Sequence, residues 1–426
     1  MLKVTLTPGA VFDKALESAS KGFYSVLEEA GRVGFLRVYS YPSLDPLVAS
    51  SIIFMKALDV GVDVIVSIDL NPPSSINEPT VLIGFDNLNY KLGDVKSRLI
   101  AFYSGELKSI PVHGTTYVDG VGSHSAMVYL TVTGAKDHGV SYIVAVLAGA
   151  YSGIFVDKFG RFQGIDRIVL DKLKIITRLS LEMVTTLKGY KPHMRNLCES
   201  LSVTLNPYYP GLTGDYENCI KTLNTLNLVS LLNVKLSNLD QRMLENAVST
   251  VVGVARKTYN IELQPENLVG GVLISTNPSY PANDFREASD TLAYAGDALR
   301  DPGRVIVTLL DIENEYPMME SRFEGYSRRL KDAINQLKPL KLKGNLRIPL
   351  YEIQVEKRDS PLFIWRAFRT LGLVEQSSIL VFREEGELRA SPFQVEEALD
   401  RGGCRRLQEL GIAKMEDGVL KLTITR

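Results

Sequence analysis

Two aspartates stand where ligands of α/β proteins usually bind. Asp45 follows a strand-like run at residues 34–40 and precedes an apolar helical run, and Asp86 directly follows the apolar run 81–85. Ligands of open parallel sheets bind beyond the carboxyl ends of the strands, so both carboxylates are candidates for metal binding and Asp86 also for a partner contact. Each has a structural interpretation, which we favour: Asp45 caps the helix that it precedes, and Asp86 forms a turn with Asn87.

The histidines and cysteines form no recognisable ligand pattern. The four histidines are scattered, and we interpret each as an ordinary surface or core residue: His113, His124, His138 and His193. The three cysteines lack CxxC spacing, which argues against a zinc site and a disulfide framework and predicts reduced thiols: Cys198, Cys219 and Cys404. We therefore predict neither a metal nor a cofactor.

Glycines and basic clusters are weaker candidates. The Gly-Val-Gly segment 120–122 could hold a phosphate at a helix N-terminus, but it lacks a GK[ST] signature and is interpreted as a turn. Local basic clusters in the second half are typical of solvated helix faces, and the functional alternative is a single-strand-binding channel between domains. The clusters are Arg328, Arg329 and Lys331; Lys338, Lys341 and Lys343; and Arg401, Arg405 and Arg406. Trp365 lies in an apolar run and is predicted to be a core residue.

Composition places the chain among globular proteins. It has 426 residues, of which 45% are hydrophobic and 23% charged, so two or three cores are expected. Lys and Arg number 48 against 49 Asp and Glu, which excludes a general attraction to nucleic acid. No apolar stretch approaches the ~20 residues that span a bilayer, and the first nine residues do not resemble a leader segment. We expect a cytoplasmic protein.

The elements that must position these residues follow from apolar spacing. Apolar residues from Val11 to Leu27 recur at helical spacing, and strand-like runs lie at 34–40, 62–68, 81–85 and 99–103. Buried strands separated by helices predict a parallel sheet. Runs 165–187 and 223–255 are helical in pattern, with Pro and Gly breakers at 206–214 between them.

From Leu268 the strand–helix alternation resumes. The predicted strands are 271–275, 305–310, 346–354 and 378–382, and the predicted helices are 285–299, 319–337 and 362–371. The prediction is an α/β protein in which a helical connector joins a parallel-sheet domain to a smaller α/β domain. The predicted domains are residues 1–195, 196–264 and 265–426.

Several segments, in order, resemble the motifs of the DHH phosphoesterases. Residues 38–50 resemble the first motif, HxDxDG, and residues 81–87 the strand that ends in the second-motif aspartate. Segments 98–103, 119–125 and 146–153 occupy the places of the later motifs. In the second half, residues 284–305, 388–391 and 402–404 resemble the partner domain DHHA1. The resemblance is best to the archaeal RecJ-like branch, covers nearly the whole chain, and implies a DHH-type domain followed by a DHHA1-like one.

The departures from this pattern carry the functional prediction. Active members of the family hold two divalent metal ions, usually manganese, through aspartates and histidines. Several family ligand positions are occupied by other residues: Tyr41 replaces the first histidine, Ser43 the first aspartate, and Ala101, Phe102 and Tyr103 the Asp-His-His motif. No aspartate is obvious near Ser152, and Cys404 replaces the histidine of the GGGH signature. Only Asp45 and Asp86 remain, which implies that no metal pair is held and that the nuclease reaction is absent.

The resemblance implies a role without catalysis. Degenerate archaeal RecJ-like proteins are accessory subunits of the CMG replicative helicase and bind the GINS complex beside the MCM ring, so we expect the same partners here. Single-stranded DNA is a further candidate ligand, with Arg401, Arg405 and Arg406 as the candidate binding residues. Three alternatives stay open: an active single-strand exonuclease or oligonucleotide phosphodiesterase with unconventional ligands, a nucleotide-binding sensor, and a structural partner outside replication.

Overall fold

Three β-sheets organise the part of the chain that the structure describes. The computed structural model describes residues 2–9, 12–86, 92–105, 115–134, 139–152, 155–157, 159–176, 180–277, 280–342 and 348–423. His113, His138, Asn87 and Lys343 lie outside these ranges. The structure is mixed α/β, as predicted. The division into domains at residues 195/196 and 264/265 stays a prediction.

The first sheet contains six parallel strands in the order β1-β6-β5-β4-β2-β3. The strands are β1 (Leu2–Leu6), β2 (Phe35–Ser40), β3 (Asp63–Ile68), β4 (Thr80–Ile83), β5 (Leu99–Ser104) and β6 (Thr116–Gly120). On β4, Val81 and Ile83 belong to the core cluster on the helix side, whereas Leu82 belongs to a different cluster. Because the central strands are buried on both faces, they are continuous apolar runs in the sequence.

Five helices pack on the first sheet or on one another, and α1, α2 and α3 contact its strands. They are α1 (Phe12–Val33), α2 (Leu44–Asp59), α3 (His124–Thr133), α4 (Val140–Ser152) and α5 (Gly164–Ile176). On α1 the buried residues Phe12, Leu16, Ala19 and Phe23 recur at helical spacing, as an amphipathic helix requires. In contrast, every residue of α3 is buried. Among the described residues no helix is long and apolar enough to cross a membrane.

A region of mostly short helices follows, flanked by the antiparallel pair β7 (Leu181–Leu187) and β8 (Val269–Ser275). Its α-helices are α6 (Leu197–Leu201), α7 (Tyr216–Thr225), α8 (Gln241–Tyr259) and α9 (Pro265–Leu268), with 3-10 helices at Val229–Leu232 and Leu236–Asn238. Cys198 on α6 and Cys219 on α7 form a disulfide with a Cα–Cα distance of 5.5 Å. The prediction that these cysteines are reduced thiols is therefore wrong, because their pairing depends on how α6 packs on α7 rather than on sequence spacing.

The second half carries a six-stranded mixed sheet in the order β13-β14-β12-β11-β10-β9. Its strands are β9 (Leu340–Lys341), β10 (Leu350–Ile353), β11 (Ile379–Glu384), β12 (Glu387–Ala390), β13 (Ala413–Glu416) and β14 (Val419–Leu422). The helices are α10 (Phe285–Ala298), α11 (Arg304–Leu310), α12 (Glu315–Gln336), α13 (Pro361–Thr370), α14 (Pro392–Leu399) and α15 (Gly403–Glu409). Trp365 on α13 is fully buried, as predicted.

Two sequence-based assignments of secondary structure are wrong. Residues 305–310 form α11 and not a strand, because this short apolar run packs along α2 with Val307 left 41% exposed. A short apolar run does not distinguish a strand from a buried helix. Residues 165–187 do not form one helix: α5 ends at Ile176, and residues 181–187 form β7, whose seven residues pair with β8. Pairing with a strand distant in sequence overrides the local helical pattern there.

Candidate functional site

The candidate site lies at the carboxyl edge of the first sheet. Because β2, β4, β5 and β6 are parallel, the segments that follow them meet at one edge. The chain there supplies Asp45 after β2, Asp86 after β4, Ser104 at the end of β5 and His124 after β6. The residues predicted to gather at these strand ends therefore lie at one edge of the sheet.

Asp45 is buried, and both of its carboxylate oxygens accept hydrogen bonds from the first residues of α3. One oxygen accepts hydrogen bonds from the backbone N–H of His124 at 2.7 Å and contacts His124 Nδ1 at 2.8 Å. The other accepts from the backbone N–H of Ser125 at 3.0 Å. Asp45 therefore does cap a helix, but the predicted helix is wrong: Asp45 lies in the first turn of α2 and caps α3. Tertiary packing, rather than sequence adjacency, selects the capped helix.

Asp86 binds two neighbours from other strand ends. Its carboxylate accepts a hydrogen bond from the backbone N–H of Ser104 at 2.8 Å and lies 3.0 Å from His124 Nε2. The Ser104 hydroxyl donates in turn to the carbonyl of Gly122 at 2.7 Å. Asp86 thus links β4, β5 and the start of α3. The predicted turn with Asn87 lies outside the described residues, and the alternative of a contact with a partner stays a prediction.

His124 is the residue that sequence reasoning missed. It was interpreted as an ordinary histidine, but its ring lies between the two aspartates with only 3% of the side chain exposed. Burial alone would lower the pKa of His124, but the charge of Asp86 and the hydrogen bonds that the ring donates to both aspartates outweigh it and raise the pKa to about 9. At neutral pH the ring is therefore an imidazolium that donates from both nitrogens. In turn, the hydrogen bond and charge of His124 overcome the burial of Asp45 and lower the pKa of that carboxyl.

At the start of α3, just after the Gly-rich segment, the backbone donors are bonded to side chains of the chain itself. Ser123 N–H donates to Asp166 at 2.8 Å, and the N–H groups of His124 and Ser125 donate to Asp45. Ala126 N–H donates to the hydroxyl of Ser123, the N-cap residue. The helix N-terminus is thus satisfied by side chains of the chain itself. Interpretation of residues 120–122 as a turn agrees with this arrangement.

The remaining motif positions are occupied by packing residues. Ala101, Phe102 and Tyr103 on β5 are at most 4% exposed and alternate between two core clusters. Ser43 is the N-cap residue of α2 but makes no side-chain capping hydrogen bond. Among the described residues no group of three or more His, Cys, Asp or Glu side chains could hold a metal ion. The residues present therefore do not fit the two-metal centre that the family resemblance implies.

Tyr41 connects the first sheet to the second half of the chain. Its hydroxyl donates to Glu396 on α14 at 2.6 Å and accepts from the backbone N–H of Arg405 at 3.3 Å. Its ring packs edge-on against Phe85, with ring centroids 6.2 Å apart. Gly84 lets the chain pass close to Tyr41 and Pro46, since it has φ +81° and a Cβ there would lie 2.4 Å from Pro46 and 3.0 Å from Tyr41 Cβ. The position of the family's first histidine is thus a structural contact.

A cleft of about 880 Å³ separates this edge from the second half. Five arginines line it: Arg286, Arg366, Arg401, Arg405 and Arg406. Seven carboxylates also line it: Asp45, Asp86, Asp290, Glu396, Glu397, Asp400 and Glu409. Most of the charge is paired internally, since Arg366 contacts Asp290 at 2.8 Å and Glu397 at 2.6 Å.

The three candidate arginines differ in their surroundings. Arg401 donates to the hydroxyl of Ser104 at 2.5 Å and lies 3.9 Å from Asp86. Arg405 pairs with Glu409 at 3.0 Å, and only 15% of its side chain is exposed. Arg406 is exposed at the cleft. Of the three, Arg406 is therefore the one best placed to contact an external anion.

Comparison with known proteins supports the fold. No protein-family model matches the sequence, and no curated protein matches it. The crystal structure of CDC45 from Entamoeba histolytica superimposes with a TM-score of 0.56 at 10% identity, covering 99% of this chain and 96% of that one. RecJ from Thermus thermophilus, in complex with Mn²⁺, gives a TM-score of 0.40 at 12% identity, covering 99% of this chain and 53% of that one. The structure of a RecJ exonuclease bound to manganese gives a TM-score of 0.40 at 11% identity, covering 96% of this chain and 90% of that one. The chain has the CDC45 fold, which confirms the fold expected from the motif order.

Proposed function

We propose that this chain is a non-catalytic, RecJ-like accessory subunit of the DNA replication machinery. The observation that carries the proposal is the contact of His124 with both Asp45 and Asp86. These aspartates are the two candidate metal ligands that remain in the resemblance. An imidazolium between them supplies the positive charge that a metal ion would otherwise supply.

The chemistry of the site supports the absence of catalysis. Two-metal phosphoesterases need several anionic or imidazole ligands to hold metal ions about 3.5–4 Å apart. Asp45 accepts from two backbone N–H groups besides the ring, and Asp86 accepts from the backbone N–H of Ser104. A metal ion would have to compete with these bonds and with the ring of His124, and losing a bond to a buried N–H group costs about 1–3 kcal/mol. Neutral, packed Ala101 and Phe102 supply no additional ligand.

The proposed partners rest on the resemblance and on the fold shared with CDC45. On that basis we propose the GINS complex and the MCM helicase as protein partners. Single-stranded DNA is proposed as a weak ligand at most, since carboxylates outnumber arginines at the cleft and Arg401 and Arg405 already contact carboxylates. Arg406 would then carry most of the contact.

A nuclease assay separates the proposal from its main alternative, an active exonuclease. The retained carboxylates Asp45 and Asp86 at the sheet edge are the specific observation that favours that alternative. Purified protein is incubated with labelled single-stranded DNA or RNA and Mn²⁺, beside an Asp45→Asn plus Asp86→Asn variant. We expect the two proteins to release no nucleotides above background. Metal-dependent release by the native chain that the double variant abolishes would establish the exonuclease instead.

The replication role is tested by reconstitution. Purified GINS and MCM are mixed with the chain, and complex formation is followed by size-exclusion chromatography with light scattering. We expect a stoichiometric complex that survives charge reversal at Arg406. Absence of any complex with either assembly would remove the replication role and favour a structural partner of another kind.

A further inference from the structure

A second charged surface lies on α12, away from the sheet edge. Four cationic residues form what we call the α12 patch: Arg322, Arg329, Lys357 and Arg358. Arg322 and Arg329 are seven residues apart on α12, so they lie on one face about 10.5 Å apart along the axis. Lys357 and Arg358 belong to the turn before α13, and both are exposed. The sequence cluster at Arg328 and Arg329 overlaps this patch but has no role in the proposed function.

Arg329 is fixed in place and joins the two parts of the patch. Its guanidinium lies over the ring of Tyr326 at 5.2 Å and donates weakly to the hydroxyl of Tyr294 at 3.3 Å. The same nitrogen lies 3.5 Å from the carbonyl oxygen of Arg358. Stacking on an aromatic ring restrains an arginine side chain, so less entropy is lost when it binds a ligand. Arg329 is therefore a preorganised donor next to Arg358.

Arg322 faces the same region. Arg322 precedes Arg329 by about two helical turns, and the charges of both arginines oppose the rise that burial causes in the pKa of Tyr294. Between them stands Gly325, where a Cβ would meet no atom within 4 Å. The helix face thus has a shallow open strip bordered by two arginines. An extended side chain or backbone of a ligand would fit above Gly325.

Among the residues that the structure describes, the cations of the patch form no ion pair with a carboxylate. Within the described ranges, no ion pair joins Arg322, Lys357 or Arg358 to an acidic side chain, whereas Lys331 on the same helix pairs with Asp215 at 2.6 Å. The exposed acidic residues near the patch are Glu356 and, one turn past Arg329 on α12, Asp332, whereas Asp359 is buried in the turn. Four cations against two exposed carboxylates leave a positive excess. Such an excess attracts an anionic ligand over about one Debye length.

We propose that the α12 patch binds an acidic segment of a protein partner. Guanidinium groups bind carboxylates through paired hydrogen bonds, and three of the four residues are arginines. A single-stranded nucleic acid fits less well, because the two rings beneath the patch, Tyr294 and Tyr326, are at most 4% exposed and cannot stack on bases. A net charge of −1 over the chain provides no general attraction for a long polyanion, whereas a short acidic segment meets only the patch.

Fluorescence anisotropy with a labelled short poly-glutamate peptide tests this proposal. The native chain is compared with Arg322→Glu plus Arg358→Glu. The matched control is Arg242→Glu plus Arg256→Glu, which makes the same change of charge on exposed arginines of α8. We expect binding by the native chain at low salt, a loss of at least about tenfold in the patch variant and little change in the control. Thermal unfolding of all three proteins verifies that they are folded.

Three outcomes would overturn the proposal: no peptide binding by the native chain at low salt, equal weakening by the control variant, or tighter binding of labelled oligo-dT than of the peptide at the same residues. The last outcome would assign the patch to nucleic acid. Because the α12 patch shares no residue with the Asp45–His124–Asp86 site, none of these results changes the outcome of the nuclease assay.

Discussion

Charge is neutralised inside the fold at the carboxyl edge of the first sheet, whereas it faces solvent on the outer side of α12. At the sheet edge, Asp45 and Asp86 lie within 3.0 Å of the buried ring of His124. On α12, Arg322 and the nearby Arg358 are exposed, with no ion pair to a described carboxylate. Buried charges require partners of opposite charge within the fold. Exposed charges are solvated by water and can bind an external ligand. Binding capacity is therefore expected at the surface and not at the sheet edge.

The largest expected effect comes from removing the buried cation. His124→Ala leaves two carboxylates without their counter-charge, so we expect a loss of about 3–5 kcal/mol in the free energy of unfolding. Chemical denaturation of the native chain and the variant measures this loss in the free energy of unfolding. His193→Ala is the control, because His193 is only partly buried and its ring nitrogens have no hydrogen-bond partner among the described residues. An equal loss in both variants would mean that the sheet edge is not stabilised by charge pairing.

The pH dependence of the free energy of unfolding tests the same charge pairing at His124. The folded chain raises the pKa of His124 from the usual 6.5 to about 9. Stabilisation by its charge is thus fully present below pH 6.5 and is lost as the pH rises through 9. We expect the stability difference between the native chain and His124→Gln to shrink by about 3 kcal/mol over that interval. A difference that stays constant with pH would show that His124 is neutral.

A smaller effect is expected at the contact between the sheet edge and α14. Tyr41→Phe removes the donor to Glu396 and an acceptor for Arg405 N–H, and should cost about 1–2 kcal/mol. Tyr24→Phe is the matched control, because Tyr24 is 44% exposed and its hydroxyl donates to the Val132 carbonyl, so water can replace the bond. Equal losses would contradict a special role for the buried Tyr41 contact.

The smallest effect on stability is expected at the α12 patch. Arg322→Glu plus Arg358→Glu should change the free energy of unfolding by no more than about 0.5 kcal/mol, because both side chains are exposed and unpaired with described carboxylates. Denaturation midpoints of this variant and of His124→Ala compare the loss of stability at the α12 patch with the loss at the sheet edge. A large loss at the patch would mean that its cations stabilise the fold and are not available to a partner.

Much of the fold could be predicted because apolar spacing is a local property. The strands β4 and β5 are nearly continuous apolar runs, and α1 has a clear buried face. The errors arose where distant contacts decide the structure. The pairing of β7 with β8, across more than eighty residues, turned a helical pattern into a strand, and packing on α2 made a helix of the apolar run in α11.

The candidate site was predictable only in part. Asp45 and Asp86 could be found from sequence because each follows a predicted strand. His124 could not, since its partners lie 79 and 38 residues away and no ligand spacing connects them. One signal was present: His124 follows the Gly-rich segment after β6, at the same edge of the sheet as the aspartates. The pairing of Cys198 with Cys219 was hidden for the same reason, because it depends on the approach of two helices.

Calorimetric titration of the native chain with Mn²⁺ at neutral pH tests the central claim most directly. Because His124 and backbone N–H groups occupy the carboxylates of Asp45 and Asp86, we predict only heat of dilution and no metal-dependent shift of the unfolding temperature. The Asp45→Asn plus Asp86→Asn variant should give the same trace. Stoichiometric Mn²⁺ binding by the native chain that is lost in this variant would contradict the claim that the site is closed.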